Sequence, residues 1–544
     1  MSRTYDDFRL DFADPEDWDL VTVLRHHARH TPDAVYLDVP EESATWTYAE
    51  ILAEAERVAR SLLHAGAAPG DRVVMMLDNS SELVRTWFGT AFAALVEVPL
   101  NTAYEHDFLA HQVRVSTPRW AVLDDVYVQR FLDIDQACAG IERYWVVDTG
   151  ELAQALDTLR SAGKQAAPWD ELVRAHGGEL PRISSRDLAS IFFTSGTTGP
   201  SKGVAMPHAQ MYFFAQENVC MTRLTAADAY LTVTPMFHGN AQFLAAYPAL
   251  VAGARFVMRG KFSASRWIDH VRESGVTVTN FIGVMMDFVW KAPARPYDRD
   301  NALRCVYAAP TASSIVEPFR ERFGIEAFVE SFGLTETSMP FITPYGEPRP
   351  PGAVGRRVAE YFDVRLVDPQ TDAEVPVGAV GELVIRPRQP WTASMGYYAM
   401  PEKTVESWRN LWFHTGDAMI EDADGWYYFV DRFKDALRRR GENISSYEVE
   451  QAILGHPAVQ ECAVIGVPTP GVLAGEDEVM ACVVTARAVT ADDIWAWSAS
   501  KLPGFAVPRF IRFVDALPKA PSQKIQKSVL REQGITPDTL ERAT

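Results

Sequence analysis

Short runs of β-prone apolar residues alternate with segments of helical spacing through the first three hundred residues, and this alternation restricts the fold more than any other feature of the chain. In TYAEILAEAERVARSLLHAG, Ile51, Ala55, Val58, Leu62 and Leu63 share one helical face. A Thr47/Glu50 capping box opens that helix and Gly66 closes it. DRVVMML follows as a buried strand, and WAVLD, LASIFFTS, AYLTVTP, ARFVM and VTVTNFIG repeat the couple further along. Strands that are apolar on both faces require helices on both sides. The expected class is therefore α/β, with a large N-terminal domain of stacked, mostly parallel sheets.

From about Tyr361 the pattern changes to short strands separated by Gly, Pro and Asp, as in FDVRLVDPQTDAEVPVGAVGELVIRP and GWYYFVDR. That suits an antiparallel barrel or small sheet. After the charged segment DRFKDALRRRG (Asp431–Gly441), the runs SSYEVEQAILGHPAV, VQECAVIGVP and EVMACVVT read as helix, strand and strand. With about 150 residues per domain as the usual measure, 544 residues exceed one core. The expected division is a core over residues 1–431, with a β-rich subdomain from about 345 to 431, and a small mobile α+β domain over 432–544. Its hinge is expected near Lys434, within Asp431–Asp435.

Against 52 Lys and Arg stand 72 Asp and Glu, a net charge of -20, which disfavours nucleic acid and anionic membranes as partners. The five cysteines are scattered and form no C-x-x-C pair, so neither a disulfide framework nor a zinc knuckle is indicated. No signal-like or membrane-length apolar run is found, and the expected location is cytoplasmic. The run RHHARH places His26 and His30 four apart, but with no carboxylate or thiol at ligand spacing it reads as a charged helix face.

One stretch does look built for an anion. TSGTTGPSKG (Thr194–Gly203) carries five hydroxyls, three glycines and a lysine directly after a buried strand. A Walker A loop needs Ser or Thr after its lysine, whereas Gly203 follows Lys202. The glycine spacing also fails the dinucleotide fingerprint.

This loop resembles the signature of the adenylate-forming superfamily of acyl-CoA synthetases, adenylation domains and firefly-type luciferases. Five further segments resemble the family's motifs in the same order: PMFHGN (235–240), ESFGLTETS (330–338), FHTGD (413–417), DRFKDALRRRGENIS (431–445) and PKAPSQKIQK (518–527). The wording of RRRGENIS and RNLWFHTGD is most similar to bacterial acyl-CoA ligases of the crotonobetaine/carnitine-CoA ligase type. The resemblance covers almost the whole chain.

It implies two half-reactions. A carboxylate attacks the α-phosphorus of ATP with release of pyrophosphate, and the thiol of coenzyme A then attacks the mixed anhydride. By resemblance Thr194, Ser195, Gly196, Thr197, Thr198 and Lys202 embrace the β- and γ-phosphates, Thr335 touches the α-phosphate, and Glu336 helps to hold Mg²⁺. Asp417 and Arg432 are the expected ribose and phosphate contacts, while Ser331, Phe332 and Gly333, with Ala309 and Pro310, would border adenine. The substrate pocket would draw on His238, Gly239, Asn240, Phe281, Gly283, Met285, Ala308 and Gly333. His238 is a gate or carboxylate contact rather than a base, since a carboxylate is already ionised at neutral pH.

Lys524 fills the family's catalytic position, and Gln523 stands where glycine is common. Lys519 and Lys527 read as solvated charges. Lys434 matches the pivot about which the C-terminal domain rotates, and Arg438, Arg439, Arg440 and Gly441 would then face coenzyme A. Partners implied are a small carboxylic acid and ATP, with room for a homodimer and a free-standing carrier protein, since only twenty residues follow Lys524. Two other readings stand beside this one. Adenylation of nitrite for attack by an aromatic amine, or transfer to a carrier or amine, keeps the first half-reaction. A non-catalytic nucleotide-binding relative would be expected to have lost at least one of Lys202, Glu336, Asp417, Arg432 and Lys524, yet all are present.

Overall fold

A computed structural model describes residues 3–194, 201–282, 285–309, 311, 315–432, 437–439, 442–444, 446–468, 477–502, 504, 506–519 and 524–542. The alternating N-terminal region forms two seven-stranded sheets. One runs in the order Ala166–Pro168, Arg143–Val147, Trp120–Asp124, Arg72–Met76, Val96–Pro99, Leu188–Thr194 and Lys202–Pro207. Its strands are parallel until the last, which returns antiparallel to Leu188–Thr194. The second runs Ala327–Val329, Cys305–Ala309, Val278–Ile282, Ala229–Thr232, Arg255–Met258, Val35–Val39 and Ala44–Thr47, and again only the final pair is antiparallel.

Helices fill the space between the sheets. Tyr48–His64 begins at the Thr47 cap as the sequence predicts: the Glu50 N–H donates to Thr47 Oγ1 at 3.2 Å, and the Thr47 N–H donates to Glu50 Oε2 at 2.8 Å. Gly66 follows with φ +103°. The helix His208–Thr222 is buried at every residue, which requires partners all round it. Outer helices such as Leu152–Ser161 and Val316–Phe323 cover the far faces through separate apolar clusters. Sheets and helices therefore alternate in layers, and the sheets are covered on both sides as their apolar strands demand.

The β-rich part is an antiparallel sheet of seven strands in the order Ser331–Leu334, Ser338–Ile342, Ala353–Arg357, Trp426–Arg432, Phe413–Glu421, Gly381–Pro387 and Phe362–Val367. It begins at Ser331, upstream of the change in composition, because the ESFGLTETS motif itself supplies its first hairpin.

The smaller C-terminal unit packs the helices Ser446–Leu454 and Ala491–Ala499 against a sheet of Val459–Val467, Glu478–Thr485, Phe510–Phe513 and Leu540–Glu541. No helix among the described residues is long and apolar enough to cross a membrane.

Candidate active site

The site is assembled at the carboxyl ends of parallel strands, where α/β sheets leave a crevice for ligands. The strand Leu188–Thr194 carries the hydroxyl-rich loop. Thr194 pairs with Lys202 across the hairpin, and its hydroxyl donates to the Lys202 carbonyl at 3.4 Å. His111 Nε2 donates to the Ser201 carbonyl at 2.8 Å and fixes the returning end. Ser195, Gly196, Thr197 and Thr198 lie outside the described residues.

Thr335 and Glu336 occupy the hairpin turn between Ser331–Leu334 and Ser338–Ile342. Two side chains of the buried helix hold this turn from below. Gln210 Nε2 donates to the Thr335 carbonyl at 2.8 Å, and the Met339 N–H donates to Glu217 Oε2 at 3.0 Å. Glu217 has no exposed surface, and burial pushes its carboxyl well above its ordinary pKa. At Gly333 a Cβ would stand 2.5 Å from the Ser338 carbonyl oxygen and 2.8 Å from Met339 Cγ, so the hairpin closes only around glycine.

The Glu336 carboxylate is buried and accepts a hydrogen bond from the Tyr397 hydroxyl at 2.8 Å. That hydroxyl in turn accepts from Lys202 Nζ at 3.0 Å. A hard carboxylate oxygen suits Mg²⁺, which usually takes one or two carboxylates together with substrate phosphates and water. Among the described residues no group of three or more His, Cys, Asp or Glu side chains could hold an ion by itself. The donor set thus fits a magnesium ion shared with a phosphate chain.

Asp417 and Arg432 are direct partners on adjacent strands of the antiparallel sheet. Arg432 Nε lies 3.0 Å from Asp417 Oδ1, an ionic contact off hydrogen-bond alignment. Neither Asp417 oxygen accepts a hydrogen bond among the described residues, although the side chain is only 1 % exposed. Two buried, unfilled acceptors on one carboxylate match a pair of adjacent hydroxyls. Burial pushes the Asp417 pKa up to about 6; Arg432 and then Lys524 oppose the rise, while Glu336 and Glu382 add to it. Glu382 also shapes the approach, accepting the Gly416 N–H at 3.1 Å and meeting His414 Nδ1 at 3.1 Å.

Lys524 reaches the same place from the C-terminal unit. Lys519 and Ile525 form a β-bridge, and the Gln526 N–H donates to the Pro518 carbonyl at 2.8 Å, which fixes the chain directly after it. Lys524 is an exposed residue. Enough protein nevertheless surrounds its ammonium that desolvation holds the pKa below the ordinary lysine value; Arg432 adds to the fall, and Asp417 and Glu336 oppose it. His238 is pushed down to about 4, by burial first and then by Lys524. The Asn240 N–H donates to His238 Nδ1 at 3.4 Å, which places the proton of the neutral ring on Nε2. Side chains from five separated motifs, Lys524, Arg432, Asp417, Glu336 and His238, thus act on one another electrostatically in one crevice.

The pocket candidates divide by strand alternation. Ala309 and Ile282 are register partners at the strand ends, and Asn280, fully buried, donates to the Asn240 side-chain carbonyl. The Thr311 N–H donates to Glu330 Oε2 at 3.3 Å, tying the loop after Ala309 to the Ser331 strand. Tyr307 OH lies 3.0 Å from Ser331 Oγ. Phe332 is half-buried, with its ring centroid 6.3 Å from that of Phe429 in a stacked arrangement. Phe281 and Ala308 depart from the expected lining: they point to the other sheet face, where Phe281 packs 5.2 Å from Trp267 and 6.0 Å from Phe319. Met285 also packs against that outer cluster.

Gly283, Pro310, Lys434, Arg440 and Gly441 lie outside the described residues. Arg438 and Arg439 are placed on the short strand Leu437–Arg439, paired with Glu442–Ile444. Lys519 and Lys527 are not simply solvated. Lys519 Nζ donates to Glu461 at 2.7 Å; Lys527 Nζ, on a side chain 15 % exposed, lies 2.8 Å from Glu450 and donates to Ser446 Oγ at 2.6 Å.

With this arrangement in hand, residues 24–398 match the family described as AMP-binding enzyme, and residues 448–524 match the AMP-binding enzyme C-terminal domain. The chain belongs to this family. Over 503 residues it is 31 % identical to the crotonobetaine/carnitine–CoA ligase of Salmonella typhi, covering 89 % of this chain and 93 % of that one. Its fold is similar to ATP-bound MatB from Rhodopseudomonas palustris, with TM-score 0.79, 26 % identity and coverage of 94 % and 98 %. The anthranilate CoA ligase AuaEII in complex with anthranoyl-AMP shares the fold, with TM-score 0.83, 24 % identity and coverage of 95 % and 97 %.

Several residues that shape the site in this AMP-binding enzyme carry no sequence signal. Tyr397 meets partners 61 and 195 positions away, and Gln210 meets one 125 positions away. Glu382, inside GELVIRP, reads as one more polar residue in a strand. Polar residues in the otherwise apolar helix pattern of residues 208–222 are the one signal that could have drawn attention to Gln210 and Glu217.

Proposed function

We propose that this AMP-binding enzyme is an ATP-dependent acid:CoA ligase that forms an acyl-adenylate with release of pyrophosphate and then passes the acyl group to the thiol of coenzyme A. The observation that carries the reading is the convergence of Lys524 with Asp417, Arg432 and Glu336 in one crevice. Two anions must meet in the first half-reaction, so fixed positive charge is needed where negative charge builds up on the α-phosphorus.

Asp417 accepts the ribose hydroxyls, and Arg432 holds its carboxylate ionised while facing the phosphates. Phe332 lies against adenine. Lys202 meets the β- and γ-phosphates, Thr335 the α-phosphate, and Glu336 provides the protein ligand for magnesium. Bound magnesium would neutralise phosphate charge as pyrophosphate leaves. Lys524 bridges the acid's carboxylate and the α-phosphate. Neutral His238 presents an Nε2 donor beside the acid rather than a base.

For the thiol to enter, Lys524 has to withdraw, which a rotation of the C-terminal domain about residues near 434 accomplishes. The likeness to crotonobetaine/carnitine–CoA ligase supports coenzyme A as the acceptor. Pyrophosphate release across a panel of carboxylic acids, with and without coenzyme A, tests the reading. Acid-dependent release with thioester formation is expected. Product formed only from nitrite and an arylamine, or acyl transfer only to a carrier or amine, would overturn the acceptor assignment, and no acid-dependent release would overturn adenylation.

A further inference from the structure

Tyr397 belongs to none of the six motifs, yet it stands between the two charged residues assigned to the phosphate chain and its metal. The backbone holds it there. The Met395 N–H donates to the Ala205 carbonyl at 2.8 Å, the Ala205 N–H to the Gly396 carbonyl at 2.9 Å, and the Tyr398 N–H to the Gly203 carbonyl at 2.7 Å. Residues 395–398 thus run alongside the strand that begins at Lys202. The Tyr397 N–H is fixed separately by Thr404 Oγ1 at 2.9 Å, and the Ser394 N–H donates to the Glu336 carbonyl at 2.9 Å.

The phenol has one proton to give and the ammonium has no lone pair to accept it, so the direction of the chain is set. Lys202 Nζ donates to Tyr397 OH at 3.0 Å, and Tyr397 OH donates to Glu336 Oε1 at 2.8 Å. Nζ also lies 4.2 Å from the ring centroid, a cation–π distance. The side chain is almost fully buried.

We propose that Tyr397 is a positioning residue that keeps Lys202 and Glu336 from pairing with each other where a magnesium-bound triphosphate would meet them. An ammonium and a carboxylate on either side of one hydroxyl attract each other strongly in a site shielded from water. If the hydroxyl were removed, they would close into a direct ion pair, which the phosphate chain and its metal would then have to break. Because Tyr397 uses Oε1, it leaves the other Glu336 oxygen to the metal. The inference rests on the adenylation reading above, but predicts a binding effect that can be measured without turnover.

The test is calorimetric binding of α,β-methylene-ATP, with and without Mg²⁺, and of AMP, to wild type and to Tyr397→Phe. Loss of one charge-linked hydrogen bond is worth roughly a tenfold change in affinity. Tyr397→Phe should therefore weaken Mg²⁺·α,β-methylene-ATP about tenfold, leave AMP unchanged because it lacks the β- and γ-phosphates, and raise the Mg²⁺ concentration needed for half-maximal ATP–pyrophosphate exchange. In a Glu336→Gln background the same substitution should cost much less, since the carboxylate that closes onto Lys202 is gone. Unchanged binding of the magnesium complex, or an equal loss for AMP, would overturn the positioning role. Wild-type protein that binds AMP but not the triphosphate would instead overturn the adenylation reading and this role with it.

Discussion

Arg432 Nε stands 3.0 Å from Asp417 Oδ1 across adjacent strands, yet neither oxygen of the carboxylate is taken up by a hydrogen bond among the described residues. The arginine stabilises the charge without occupying the acceptors. With a pKa of about 6 in place of 3.8, Asp417 takes up a proton well above the usual carboxylate range. AMP affinity measured by calorimetry should accordingly weaken as pH falls through about 6. Arg432→Ala should move that transition to higher pH, and Asp417→Asn should cost about 1.5–3 kcal/mol of binding at pH 7. The stability effect has the opposite sense. Between 3.8 and about 6 the folded state holds the proton more tightly than the unfolded chain, so this group's contribution to stability declines as pH rises through that window.

Among the described residues Lys524 brings a positive charge from the C-terminal unit against Asp417 and Glu336. Lys524→Ala should slow ATP–pyrophosphate exchange on the order of 10²- to 10³-fold, the scale of a lost transition-state contact. Thioester formation from a supplied acyl-adenylate should continue near the wild-type rate, because the lysine has to leave for that step. An unchanged exchange rate would refute the assignment.

A Cβ at Gly333 would stand only 2.5 Å from the Ser338 carbonyl oxygen. Gly333→Ala must therefore push open the hairpin whose turn bears Thr335 and Glu336. The expected result is a loss of exchange activity exceeding tenfold, by analogy with small misplacements of catalytic groups. Far-ultraviolet circular dichroism should stay close to wild type, because the displacement is confined to one edge hairpin. Activity equal to wild type would mean that Met339 and the turn yield without cost.

Much of the layered core was legible because burial on both faces writes a simple pattern. The runs predicted as strands from DRVVMML to VTVTNFIG all form strands, and the Thr47 cap is present down to its two hydrogen bonds. What the pattern could not reveal is which way a residue points in a strand that is apolar on both faces. Phe281 and Ala308 accordingly lie on the outer side, whereas their neighbours Asn280 and Tyr307 face the crevice layer. Nor could spacing disclose contacts made across long separations by ordinary residue types. Tyr397, Gln210 and Glu382 hold the motif residues in place, but a tyrosine, a glutamine and a glutamate have no periodicity that marks them. Lys527 departs from its expected solvation for a related reason: a lysine in a polar tail is usually solvated, and only the fold reveals the carboxylate it meets.

That lysine supports a final expectation. Lys527 Nζ lies 2.8 Å from Glu450 Oε1 and donates to Ser446 Oγ at 2.6 Å, while Ser446 donates through both its N–H and its hydroxyl to Asp431 Oδ2 at 2.7 Å. The segment carrying Lys524 is thus tied to the start of the helix Ser446–Leu454 and, through it, to the strand Trp426–Arg432 of the antiparallel sheet. Glu450 also accepts the Val464 N–H at 2.7 Å, and burial raises its pKa against the opposing pull of Lys527. In Lys527→Met the carboxylate keeps its burial but loses its counter-charge, which should cost about 1–3 kcal/mol in denaturant unfolding. The loss should grow as pH rises, because the variant's Glu450 holds its proton more tightly in the folded than in the unfolded state. Glu450→Gln in the same background should recover part of the stability, since a neutral amide can still accept the Val464 N–H without a buried charge. If Lys527→Met unfolded at the wild-type denaturant concentration across the pH range, the pair would be no more than the solvated contact that its place in the tail suggests.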